Sequence, residues 1–125
     1  MSTPTDCQFS QSHEWFRTEG EIVTVGITQF AANALTDITY VEMQEPGTTV
    51  EAGESIGEVE SVKTTSDINS AYTGEIVESN SAVVDDPSLL NSDPYGSGWL
   101  VKLRVLEGET EELMDQSTYD SKYSV

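Results

Sequence analysis

Lys63 sits in the stretch 58–67, EVESVKTTSD, with Ser61 and Val62 before it and Thr64, Thr65 and Ser66 after it. The chain has only three lysines, so one set among short side chains invites a chemical reading. A lysine amine can be acylated, and an acylated lysine can tether a carrier group. The competing reading is an ordinary solvated lysine, the common fate of the residue. Other candidates are weaker. His13-Glu14 is the only acid–base pair containing histidine, but catalysis by one histidine needs a nucleophile or metal beside it, and no spacing marks either. A structural or ligand-positioning role is favoured there, and a small hydrolase built on the pair lacks a nucleophile. Cys7 is the only cysteine. It excludes an internal disulfide and a thiolate metal cluster, and no basic neighbour would lower its pKa. The carboxylates lack calcium-loop spacing, Asp85-Asp86 is isolated, and there is no phosphate-binding glycine loop.

Bulk composition narrows the partners. Acidic residues number 23 against 5 basic, a formal net charge of −18. Nucleic acid and anionic membrane both demand a basic face, so neither is expected. Such a charge favours solubility and steers the chain towards basic patches on other proteins. At 125 residues with 36% hydrophobic side chains, one domain is expected, able to bury roughly two thirds of its unfolded surface. The first residues carry neither a basic region nor an apolar stretch, and no apolar run approaches the roughly 18 residues of a membrane helix. A soluble cytoplasmic protein is expected.

The elements that must display Lys63 are mostly strands. Gly53 and Gly74 flank it, and the arms between are β-branched: Ile56, Val59 and Val62 before, Thr64, Thr65 and Ile68 after. That predicts two strands meeting at a turn with Lys63 near its tip. Residues 1–8 are expected to be a flexible arm and 9–16 a short extended segment. EIVTVGIT over 21–28 reads as a strand, with Gly26 marking a bulge or a close backbone approach. Thr28 could cap a short helix through QFAANAL. DITYVEM, over 37–43, returns to strand. The stretch 80–92 reads as loop, with Pro87 opening one helical turn. Trp99, Val101, Leu103 and Val105 alternate with Lys102 and Arg104 in the clearest strand. Residues 109–123 are expected to form a C-terminal helix with acidic residues in its first turn. Together these predict an all-β sandwich with short helices.

The chain closely resembles the H proteins of the glycine cleavage system, which are lipoyl carriers. The segments that carry the resemblance are SHEW at 12–15, VGIT at 25–28, DITYVEMQEPG at 37–47 and ESVKTTSDINS at 60–70. GEIVESN at 74–80, PSLLN at 87–91 and DPYGSGWL at 93–100 complete them. Biotin carriers flank their lysine with methionines, unlike Val62 and Thr64. The lipoyl domains of 2-oxo-acid dehydrogenases usually show Asp-Lys at this turn and lack the HEW and GWL segments. Three positions depart from the family pattern: Thr36 stands where glycine is usual, Ala71 where proline is usual, and Ala32 where glutamine is common.

The resemblance implies a lipoyl/biotinyl-type barrel-sandwich hybrid with a C-terminal helix, spanning 1–125 as one lipoyl-carrier domain. It implies lipoic acid in amide linkage to Lys63, presented on a turn recognised through Glu60, Ser61, Val62, Thr64 and Thr65. It further implies an arm that accepts an aminomethyl group from a glycine decarboxylase and delivers it to an aminomethyltransferase. A dihydrolipoyl dehydrogenase then reoxidises the arm, and a lipoate ligase or a lipoyl/octanoyl transferase installs it. The carrier itself catalyses none of these steps. Ser12, Glu14 and Asp67 are implied to border a cleft in which the loaded arm rests, shielded from water. Two alternatives stay open on the residues alone: an H-like relay handing lipoyl groups to other enzymes, and an unmodified β-sandwich interaction module.

Overall fold

Residues 6–110 and 112–123 are described by a computed structural model. Nine strands and four short helices follow one another in it: β1 (Gln8–Phe9), β2 (Glu14–Glu19), β3 (Ile22–Ile27), α1 (Gln29–Leu35), β4 (Ile38–Met43), β5 (Thr49–Val50), β6 (Ser55–Ser61), β7 (Thr65–Asn69), β8 (Tyr72–Ser79), α2 (Ser81–Asp85), α3 (Leu89–Ser92), β9 (Val101–Thr110) and α4 (Gln116–Lys122). Six strands form one sheet in the order β1-β2-β3-β9-β8-β5, and three form a second in the order β4-β6-β7. Every pairing is antiparallel. The all-β sandwich with short helices is therefore the observed architecture.

Alternation builds the core. Val23 and Val25 on β3 and Leu103 on β9 turn inward from the larger sheet, while Val41, Ile56, Val59 and Ile68 turn inward from the smaller one. On the opposite face of the smaller sheet the register sets Tyr40 against Glu60, Glu42 against Glu58, and Glu58 against Asp67. A second apolar cluster of Cys7, Phe9, Trp15, Tyr95 and Tyr119 lies at the N-terminal end of β2. Gly26 is the close approach anticipated: a Cβ there would lie 2.6 Å from the Trp15 ring. Thr28 does cap α1, its side chain accepting from the Ala31 N–H.

Several sequence expectations are corrected. The C-terminal helix does not fill 109–123. β9 continues as strand to Thr110, which pairs with Tyr72, and the helix runs only Gln116–Lys122. Asp115 caps it by accepting from Thr118 N–H at 2.8 Å, and a carboxylate at an N-cap outweighs the acidic run upstream. The flexible arm over 1–8 is also too long. Residues 1–5 lie outside the described residues, but Asp6 pairs with Arg17 at 3.0 Å, Cys7 is buried and Gln8 pairs with Phe16. Burial among aromatics pushes the Cys7 thiol up to about 12, so it stays an unreactive thiol. The extended segment 9–16 breaks at a turn between β1 and β2, and the loop at 80–92 holds α2, capped by Asn80, as well as α3.

Candidate functional site

The β6–β7 hairpin delivers Lys63. Its turn is closed by Ser61 N–H donating to the Thr64 carbonyl at 2.8 Å. The Ser61 hydroxyl oxygen accepts from the backbone N–H groups of Lys63 and Thr64, each at 3.2 Å. A serine that hydrogen-bonds its own turn fixes the backbone without bulk. Val62 N–H donates to the Asp37 carbonyl, tying the tip to the start of β4. Thr65 Oγ1 leans towards Glu60 Oε1 at 3.5 Å. Lys63, Val62 and Thr64 are exposed, Val62 to 67%. Among the described residues the ion pairs are Arg17–Asp6, Lys102–Glu78 and Arg104–Glu75, so the Lys63 ammonium is held by no carboxylate there.

Glu14 stands at the other end of β7. It opens β2 yet is only 1% exposed. The Ser10 and Ser12 hydroxyls both donate to its Oε1 at 2.5 Å, and Asn69 N–H donates to Oε2 at 3.1 Å. The carboxylate thus stitches the larger sheet to β7, the edge strand of the smaller one. Its partners are three uncharged donors, with no cation among the described residues, and an ionised carboxylate offers about four acceptor sites. Ser12 is exposed at the mouth, beside a cavity of about 280 Å³ lined by Ser10, Gln11, Ser12 and Glu112. Asp67 shares the outward face of β7 with Thr65 and Asn69 and is exposed, with no hydrogen bond to Ser12 or Glu14. It lies four positions along the chain from Lys63, at most about 13 Å by extended rise, a span that a lysine stem lengthened by a lipoyl chain covers.

Of the residues singled out by sequence, Ser12 and Glu14 are thus in contact. Glu60, Ser61, Val62, Thr64 and Thr65 surround the lysine turn, and Asp67 lies on the strand between the two places. Sequence reading missed Ser10, whose oxygen also accepts from Glu14 N–H at 3.0 Å. The Ser-x-Ser-x-Glu spacing over 10–14 was a signal for it. The Asn69 contribution comes from backbone and has no sequence signature. His13 is no acid–base partner of Glu14. Its ring packs 4.5 Å from Phe30 and 4.6 Å from Tyr123, its Nδ1 meets Tyr119 Oη at 2.9 Å, and burial holds it below its usual pKa.

The sequence and the architecture have close counterparts. The family model described as "Glycine cleavage H-protein" matches residues 7–124. A glycine cleavage system H protein of Streptomyces avermitilis is 52% identical over 120 residues, covering 95% of each chain. One from Thermus thermophilus is 48% identical over 120 residues, covering 95% of this chain and 94% of that one. Among solved structures, the crystal structure of a glycine cleavage system H protein from Mycobacterium marinum superposes with a TM-score of 0.91 at 42% identity. It covers 98% of this chain and 100% of its own. The chain belongs to the glycine cleavage H-protein family, lipoyl carriers that shuttle intermediates within the glycine cleavage system and are not themselves its catalysts.

Proposed function

We propose that Lys63 is the lipoyl attachment site of this carrier and that Ser12, Glu14 and Asp67 border the place where the loaded arm shelters. The observation that carries the reading is the Lys63 amine itself, exposed at a hairpin tip whose backbone Ser61 locks and which no carboxylate holds among the described residues. Acylation forms an amide at Nζ, removes one positive charge and expels the leaving group of an activated lipoyl donor. A lipoate ligase or a lipoyl/octanoyl transferase supplies that donor. The small side chains of Ser61, Thr64 and Thr65 leave the tip open to such an enzyme, and Glu60 and exposed Val62 give it a charge and an apolar contact to read.

A lipoyl group held on Lys63 would supply the disulfide chemistry that accepts an aminomethyl group. Everything else the chain contributes is positioning. The rigid β6–β7 hairpin carries the arm to a glycine decarboxylase, an aminomethyltransferase and a dihydrolipoyl dehydrogenase in turn, while the sheet stays fixed behind it. With a loaded arm in place, Glu14, a buried carboxylate with neutral partners only, would face the cationic amine of the cargo. Ser12 at the mouth and Asp67 on β7 add an acceptor hydroxyl and a second negative charge. Charge-assisted bonds of this kind are roughly twice as strong as neutral ones, and a cargo held by them is less open to the water that would hydrolyse it. The chain acts in the cytoplasm as a single carrier domain.

The test is intact mass of the chain produced in a host able to lipoylate, beside Lys63→Arg. The wild type is expected to gain one lipoyl mass and the variant none. A wild type without the adduct leaves an unmodified interaction module.

A further inference from the structure

His13, one residue before Glu14, has a φ of 71°. For a residue with a Cβ this left-handed conformation is uncommon, and it persists only where the surroundings enforce it. Three contacts do so. His13 N–H donates to the Ser10 carbonyl at 3.1 Å, Thr28 N–H donates to the His13 carbonyl at 3.0 Å, and the imidazole Nδ1 meets Tyr119 Oη at 2.9 Å. Tyr119 is fully buried on α4, its ring stacked on Phe9 at 4.7 Å. Its hydroxyl also lies 2.8 Å from Thr28 Oγ1. One phenol therefore joins the start of β2, the cap of α1 and the C-terminal helix.

Thr28 Oγ1 accepts from Ala31 N–H at 3.2 Å. A chain that runs from the Thr28 hydroxyl to Tyr119 Oη and from the Tyr119 hydroxyl to His13 Nδ1 gives every proton an acceptor, with the neutral ring carrying its proton on Nε2.

We propose that Tyr119 is a positioning residue for the Glu14 carboxylate: by holding His13 in its left-handed conformation, the C-terminal helix sets the Ser10–Glu14 turn that aims Glu14 at Asn69 and at the Ser12 mouth. This rests on the sheltering role assigned to Glu14 above. The arm-bearing hairpin and α4 are far apart in sequence, yet Glu14 touches β7 and His13 touches α4, so the helix bears on the shelter without touching the cargo.

Tyr119→Phe keeps the stacked ring and removes both hydrogen bonds. In unlipoylated protein it is expected to speed hydrogen exchange at the Asn69 amide about tenfold, with amides of the β8–β9 ladder unchanged. Nitrogen NMR is expected to show His13 losing its pure Nε2–H form. In loaded protein the cargo is expected to hydrolyse several-fold faster while lipoylation of Lys63 keeps its rate. Should Tyr119→Phe fail to fold, His13→Phe serves instead, because phenylalanine keeps the ring packing against Phe30 and Tyr123 and lacks the Nδ1 that Tyr119 holds; it too is expected to speed Asn69 exchange. Unchanged Asn69 exchange in the folded variant overturns the proposal. Glu14→Ala separates the two claims: if it leaves the cargo lifetime unchanged, the shelter falls, and Asn69 exchange alone then decides whether Tyr119 positions the turn.

Discussion

Glu14 serves stability and function through different properties of one side chain, and the two can be separated. Its stability role is acceptance: two hydroxyls and the Asn69 N–H lose their partner if the carboxylate is truncated. Buried donors left unsatisfied cost about 1–3 kcal/mol each. Glu14→Ala is therefore expected to destabilise by about 2–4 kcal/mol, read from the denaturant midpoint. Glu14→Gln is expected to cost only about 1 kcal/mol, because its carbonyl can face Asn69 N–H while its amino group meets serine hydroxyls free to rotate and accept. Yet glutamine has no charge for a cationic cargo, so the loaded arm is expected to hydrolyse as fast in Glu14→Gln as in Glu14→Ala. A glutamine variant with wild-type cargo lifetime would show that the charge of Glu14 is not what shelters the arm. At this scale the exposed turn at Lys63 was legible from the short side chains around it. The sequence was mute on the Asn69 amide, because a backbone donor looks the same in every residue.

Among the elements, α1 ends in a way the sequence had already flagged. Thr36, where the family pattern has glycine, adopts φ 63° and ψ −135°. A β-branched side chain is costly at positive φ, by about 1–3 kcal/mol, and glycine is not. The surroundings hold it there: Thr36 N–H donates to the Ala32 carbonyl at 3.1 Å and the Asn91 amide donates to the Thr36 carbonyl at 2.6 Å. Thr36→Gly relieves that strain but frees the unfolded chain, so a net gain of about 1 kcal/mol is expected, seen as a higher thermal midpoint. A lower midpoint would mean that the Thr36 hydroxyl, which donates to the Leu35 carbonyl, outweighs the strain. The strands around Lys63 were readable from their β-branched runs. The C-terminal helix was misjudged because acidic residues suit a helix start, whereas the pairing of Thr110 with Tyr72 is a tertiary fact.

For the molecule as a whole, the charge of −18 becomes structural where strands are in register. Glu58 lies opposite Glu42 on one side and Asp67 on the other. Like charges directly across a sheet are destabilising by roughly 0.2–1 kcal/mol per pair, and the cations in ion pairs among the described residues bond elsewhere. The inward faces of Val41, Val59 and Ile68 hold these strands together against that repulsion. Exposed charges interact over a distance that shrinks from about 30 Å at 0.01 M salt to about 8 Å at 0.15 M. Raising sodium chloride across that range is therefore expected to raise the thermal midpoint. Glu58→Gln removes both repulsive pairs at once. It is expected to stabilise by about 0.5–1 kcal/mol at low salt and to blunt the salt response, because much of what salt screens is then absent. A variant with an unchanged midpoint and an undiminished salt response would place the repulsion in the diffuse surface charge and not in the register of β4, β6 and β7. Neutralising a surface glutamate away from that sheet, Glu19→Gln, provides the comparison, since it lowers the net charge equally without touching a cross-strand pair of carboxylates.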